Sequence, residues 1–360
     1  TNDKETGGGV IRKTAPAVFG LLAALELHPT NKKAGVFAPI GGFQAVGDAF
    51  QNLANDCGVD IMYEKSVTHI SSEGIWYTDD DEEGTTPKFM AADLVICNAD
   101  LPFATETLMD GNAKGNANKA SPPRYDWNDK FDYSSGVIAF HWSIDRQCDD
   151  LNTHNVFLMG CDRDSAERSW GAIRNNDIDA PSFETDDHPF NFYVHRASAT
   201  DGSASPEGCD AIMVLVPCCS LKRDKMLGKL DRDECIAGYE EQFGEAFVSK
   251  VRDVVLHRLG KLNGLKDLRE HIVDEVVDTP ASYADSYNVA AGTPFAMSHG
   301  FGQLSLTRPA HQSRDVDNVL FVGAGTRPGN GVPLVLLGAK QVADKAIKKL
   351  QIPEEEVGVR

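Results

Sequence analysis

No Cys-x-x-Cys pair occurs in this 360-residue chain, and its eight cysteines (57, 97, 148, 161, 209, 218, 219, 235) are scattered. That spacing supports neither the usual zinc site nor a disulfide framework, and reads as free thiols in a reducing compartment. Long hydrophobic runs are lacking as well. The longest apolar stretch near the start, Ala15 to Leu27, falls short of the ~18 residues that suggest a membrane span. A secretory leader, with its basic start and small-residue cleavage site, is not recognisable either. Basic charge is in short supply, since 35 Lys and Arg against 54 Asp and Glu leave −19 at pH 7. A chain this acidic repels phosphate backbones unless a basic patch concentrates its charge. The densest candidate, Lys222-Arg223-Asp224-Lys225, is short and interrupted by an acid, so no nucleic-acid partner is expected. Hydrophobic residues at 41% and charged residues at 25% are ordinary globular values, which excludes disorder, collagen and coiled coil. The length suggests about two domains. The first residue is Thr1 rather than Met, which reads as processing or as a fragment.

What is present falls into segments. Residues 1–14 are polar and Gly-rich, and read as a loop. Ala15–Leu27 is apolar nearly all round, so it is either a buried helix or one lying against a membrane. Gly41-Gly42 opens a helix with Phe43, Val46, Phe50, Leu53 and Cys57 at helical spacing, and Gly58 closes it. Val59, Ile61 and Tyr63 alternate as a strand that Val67 and Ile70 continue. A hairpin follows from Gly74 to Tyr77, its second arm beginning near Lys88. The acidic Asp79 to Gly84 between the arms reads as a solvated tip, not a metal site, because neighbouring carboxylates alone do not set coordination geometry. Leu94 to Cys97 reads as a strand inside a parallel sheet. Gly, Asn, Lys and Pro crowd 105–125 and mark a boundary or long loop. Val137–Trp142, Asn191–His195 and Ala211–Val216 read as strands of a mostly antiparallel sheet. Cys235–Leu259 reads as one long helical region.

The sharpest chemical signal is a strand, Asn318 to Val322, then Gly323-Ala324-Gly325-Thr326-Arg327-Pro328-Gly329-Asn330-Gly331, then a helix from about Val332 to Leu350. Glycines let a ligand approach the backbone, and the helix aims its positive end at the same place. This is not a dinucleotide fingerprint. Its third glycine is misplaced, and no second strand with an acidic ribose ligand follows.

The run NVLFVGAGTRPGNGVPLVLLGAK, Asn318 to Lys340, resembles the C-terminal signature of the bacterial and fungal type of phytoene desaturases, FAD-dependent carotenoid dehydrogenases. Three further segments agree in order. They are Phe37 to Ala45, Ala92 to Asp100 with its strand ending in Asn-Ala, and Arg124-Tyr125-Asp126-Trp127 together with Tyr193 to Pro217. The similarity runs from about residue 15 to 350. The family's G-x-G-x-x-G βαβ unit has no counterpart here, so the resemblance makes the chain a C-terminal portion. Many family members also carry His where Arg327 stands.

The resemblance implies an α/β (α+β) fold of amine-oxidase-like architecture. Its Rossmann-like FAD domain would be built from discontinuous segments, 35–105 and 314–350, beside a mostly antiparallel substrate domain at 106–313. Residues 1–34 would be a helical piece facing a membrane or the core, and 351–360 a tail. Val67 would lie near the adenine of FAD. Asn98, Ala99, Gly323, Gly325, Thr326, Gly329, Asn330, Gly331, Val332 and Pro333 would line the flavin. Phe140, Trp142, Phe192 and Tyr193 would wall a tunnel for a long apolar polyene. The implied reaction is desaturation of a precursor such as phytoene, hydride passing to flavin and a proton to a base or water. Asp100, His299 and Arg327 are the polar candidates nearest these motifs. Arg327, a poor base because it stays protonated, suits steering charge or holding a quinone-like oxidant, and the expected electron acceptor is a quinone or oxygen. The expected location is the membrane surface, in cytoplasm or plastid. Two alternatives stay open: another carotenoid or retinoid redox enzyme (later-step desaturase, isomerase or saturase), or an inactive truncated fragment that binds lipid or a partner.

Overall fold

The computed structural model describes residues 37–79, 86–109, 127, 131–158, 164, 173, 190–221, 232–298 and 300–353. The expectations for Ala15–Leu27, for the hairpin tip beyond Asp79, for Arg124 to Asp126, for Lys222 to Lys225 and for His299 lie outside them.

Helix α1 spans Gly42–Asp56 and is entered through Gly41 in the left-handed conformation, which glycine adopts without steric cost. It forms at the predicted place, yet none of its residues is buried, and Phe43, Phe50 and Leu53 are more than half exposed. The predicted strand over Val59, Ile61 and Tyr63 does not form, and its residues stay exposed without a ladder partner. Alternation defines a face, but a strand also needs a neighbour for its backbone groups. Strands β1 (Lys65–Ile70), β2 (Gly74–Asp79) and β3 (Lys88–Ala91) make a three-stranded antiparallel sheet. Lys65 and Lys88 both pair with Asp79 at its end.

Strand β4, Val95–Cys97, pairs in parallel with a strand from near the end of the chain, Val319–Phe321. Their buried side is continuous with Ile70, Leu101, Trp127 and Met297.

The larger core belongs to a five-stranded antiparallel sheet. Its members are β5 (Gly136–Ile144), β6 (Asn155–Leu158), β7 (Phe192–Arg196), β8 (Asp210–Cys218) and β9 (Ile272–Asp278), in the order β6-β7-β8-β5-β9. One face packs on helices α2 (Arg232–Phe243) and α3 (Glu245–Leu259). The single helix predicted over 235–259 is therefore two. Gly244 separates them where a Cβ would stand 2.5 Å from the Glu240 carbonyl oxygen, so the chain can turn only because that residue is glycine. Val248, Val251, Val255 and Leu259 give α3 its buried stripe, at the three-to-four-residue spacing of a core-facing helix. At the sheet's end, buried Arg196 donates to the fully buried Asp210 carboxylate at 2.7 Å, and Ser198 and the Cys148 amide donate to the same group.

Helix α4, Pro280–Tyr287, starts with a reciprocal Thr279–Ser282 capping box. The C-terminal strand, Val319–Phe321, is β10, and the last helix, Val332–Lys349, is α5. No helix among the described residues is long and apolar enough to cross a membrane. The chain is thus mixed α/β, with its sheets mostly antiparallel.

Candidate functional site

The parallel pairing of β4 with β10 brings the two motif ends together. Val322 donates to the Cys97 carbonyl at 3.0 Å, and a Cβ on Gly323 would stand 2.9 Å from Asn98 Oδ1. One on Gly325 would come 3.2 Å from the Leu101 side chain. Gly323, Gly329 and Gly331 have φ of 112°, 140° and 95°, a region in which side-chain-bearing residues are strained. Thr326 is buried and folds back on the Gly323 carbonyl through its amide and hydroxyl. Gly329 is buried, whereas Asn98, Ala99, Gly331, Val332 and Pro333 are exposed. The ends of β4 and α5 beside the turn are therefore exposed. Val67 sits on β1, half-buried against the core shared by β4 and β10.

The turn is held from behind by a residue that no sequence motif marked. Arg308 is 1% exposed and donates to the carbonyls of Ser298 (3.0 Å), Gln303 (2.8 Å), Met297 (2.9 Å) and Ala324 (3.1 Å). Arg327 returns the contact, its Nε donating to the Arg308 carbonyl at 3.0 Å. Burial lowers the Arg308 guanidinium to about 10, so it remains charged at neutral pH. Asn330 ties the far end of the turn to the Phe295 carbonyl at 2.9 Å.

Phe295 also lines an open apolar groove of about 540 Å³ on the outer face of the five-stranded sheet. Phe157, Tyr193, Leu215, Pro217 and Val137 contribute to its wall. This corrects the aromatic assignment from sequence. Phe140, Trp142 and Phe192 are at most 2% exposed in the helix-covered core. Phe192 does reach the groove's edge, but of the four aromatics only Tyr193 stands on the outer face. A period of two separates the faces of a strand but does not say which face the helices cover. Tyr193 Oη donates to Asn155 Oδ1, and burial pushes its phenol further up, so it keeps its proton at neutral pH.

Of the other polar candidates, Asp100 accepts from the Ala290 amide at 3.0 Å and lies off the groove. Arg327 lines a second, smaller pocket. Among the described residues no cluster of metal ligands occurs.

No family model matches the chain. It is 32% identical to "Phytoene desaturase" of Neurospora crassa, over 93% of its own length and 51% of that protein's. It is 32% identical to the "zeta-carotene-forming phytoene desaturase" of Myxococcus xanthus, over 94% and 56%. With a "4,4'-diapophytoene desaturase (4,4'-diaponeurosporene-forming)" of Staphylococcus haemolyticus the identity is 28%, over 95% and 61%. The chain thus spans just over half the length of the curated relatives it matches. Solved structures overlie it more loosely. An oxidoreductase from Methanosarcina mazei does so with a TM-score of 0.47 at 14% identity, over 85% of this chain and 55% of that one. The chain is similar to the phytoene and diapophytoene desaturases along nearly all of its own length.

Proposed function

We propose that the protein carrying this chain is a FAD-dependent oxidoreductase that desaturates an acyclic polyene precursor of the phytoene type. The observation that carries the reading is the 32% identity to two phytoene desaturases along nearly the whole chain. The apolar groove beside the Gly-rich turn supports it, because a polyene gains about 25 cal/mol per Å² of apolar surface removed from water. The turn's residues fit a flat cofactor. Gly323 and Gly331 carry no side chain, and residues 98–99 and 331–333 are exposed to a ligand.

When bound, FAD would supply the two-electron acceptor for a hydride lost from an allylic carbon. Asn98, Ala99 and Gly331 to Pro333 would hold it, with the positive end of α5 favouring an electron-rich group. The chain's own share is binding, orientation and exclusion of water. Leu215, Pro217, Val137 and Phe295 offer the polyene an apolar bed. Asn330, bonded to Phe295, fixes that bed relative to the turn. Among the described residues no carboxylate or imidazole lines the groove, and its polar groups are Ser135, Asn155, Asn191 and Tyr193. Tyr193 holds its proton toward Asn155, and the open side of the groove admits water as a proton acceptor.

A protein containing this chain, loaded with FAD and given phytoene in liposomes with a quinone or oxygen as acceptor, should produce more conjugated, red-shifted products. Leu215→Asp, which places a charge on the groove, should abolish turnover while flavin content is kept. A protein that binds both FAD and phytoene and leaves the absorption spectrum unchanged would overturn the reading.

A further inference from the structure

The smaller pocket is lined by Arg308 and Arg327 and shares no lining residue with the groove. Its volume is about 140 Å³, and Trp127 and Phe131, stacked with centroids 5.2 Å apart, contribute to its floor. Among the described residues Arg308, Arg314 and Arg327 line it against one acid, Asp315. Arg314 and Asp315 form an exposed rim, and each has interactions of its own.

The charge balance is the unusual feature. The chain has 54 acidic side chains for 35 basic ones, and Arg146, Arg196, Arg252 and Arg269 each contact a carboxylate. Arg308 and Arg327 contact none among the described residues. Arg308 meets four carbonyls, and its buried Nε has no partner. Arg327 spends only Nε, on the Arg308 carbonyl, which leaves its terminal nitrogens without a hydrogen bond among the described residues. A guanidinium in this state presents a planar fork that matches two oxygens of one anion. A buried positive charge behind it strengthens the field at that point, because low-dielectric surroundings screen it little.

We propose that this pocket is a binding site for a phosphate-type oxyanion, held by the Arg327 fork with Arg308 as the charge behind it. The same chemistry could reach the pocket as free phosphate or as the phosphate of a nucleotide cofactor. The proposal concerns binding alone and does not depend on the desaturase reading.

The test is thermal unfolding of the full chain at constant ionic strength, titrated with inorganic phosphate, FAD or riboflavin, chloride being the control. Phosphate should raise the melting temperature saturably, and Arg327→Gln should weaken its apparent affinity at least tenfold. Arg327→Lys, which keeps the charge but loses the fork, should weaken it several-fold and serves if Arg327→Gln does not fold. An Arg327-dependent effect of FAD but not riboflavin supports the site and assigns the anion to the nucleotide. An effect of phosphate alone supports it as a free-anion site. No shift with phosphate or FAD, or an affinity unchanged in both variants, overturns the proposal.

Discussion

Replacing Arg308 by Met tests how the Gly-rich turn is held. The guanidinium is 1% exposed and joins three stretches of chain through four carbonyls, those of Met297, Ser298, Gln303 and Ala324. Ser298 keeps a second donor, Gln303 Nε2 at 3.2 Å. The other three carbonyls lose the donor that Arg308 provides, and a buried polar group left unsatisfied costs about 1–3 kcal/mol. Their sum is about 3–9 kcal/mol by that range. Two effects pull it to the low end. Removing the charge also removes the cost of burying it, the cost that lowers this group to about 10. Water can also reach the freed carbonyls in part. A net loss of about 3 kcal/mol is therefore expected, a size reserved for broken buried networks and core cavities. Arg308→Lys, with a shorter reach and no fork, should fall between the two. The measurement is urea denaturation followed by tryptophan fluorescence, since Trp127 lines the pocket beside Arg308. If Arg308→Met unfolds within about 1 kcal/mol of the wild type, a typical single hydrogen bond's contribution, the four carbonyl contacts do not hold the turn.

Gly329→Val should lower stability by about 1–3 kcal/mol, because φ at 140° forces strain on a β-branched residue. Flavin content of the protein carrying this chain should fall with it, and normal content would show that the turn does not meet the cofactor. Asp79 is held below its ordinary value of 3.8 chiefly by its hydrogen bonds to Lys65 and Lys88. Its stabilising contribution is therefore present above that value and is lost as pH falls below it. The stability gap between wild type and Asp79→Asn should close on acidification, and a gap that persists or widens would contradict the pairing. For membrane contact, a protein with this chain should float with liposomes at high salt, since its net charge of −19 leaves apolar contact as the attraction. Flotation lost only when Leu21, Leu22 and Leu25 are changed to Asp would locate the contact at 15–27, and flotation only at low salt would refute it.

The sequence by itself determined the local elements. Glycine pairs and apolar spacing marked α1, the β1–β2–β3 arms and α5, because these depend on backbone conformations and periodicities that neighbouring residues dictate. The apolar run at 94–97 announced a parallel neighbour, and β10 is that neighbour. The motif likeness announced relatives that 32% identity then supplied. Only the tertiary structure decided which faces are inside. Phe140 and Trp142 looked like a ligand wall, but α2 and α3 cover that side, so the groove formed on the side of Leu215 and Tyr193. The strand β9 escaped notice because Val273, Asp274, Glu275 and Val276 carry no clear alternation, and its partner, β5, lies far away in sequence. Gly244 read as one more residue of a helix until the Glu240 carbonyl appeared beside it. Arg308 had no signal at all. Its importance lies in carbonyl groups from three separated stretches, and carbonyls are the same in every residue, so only their convergence in space could reveal it.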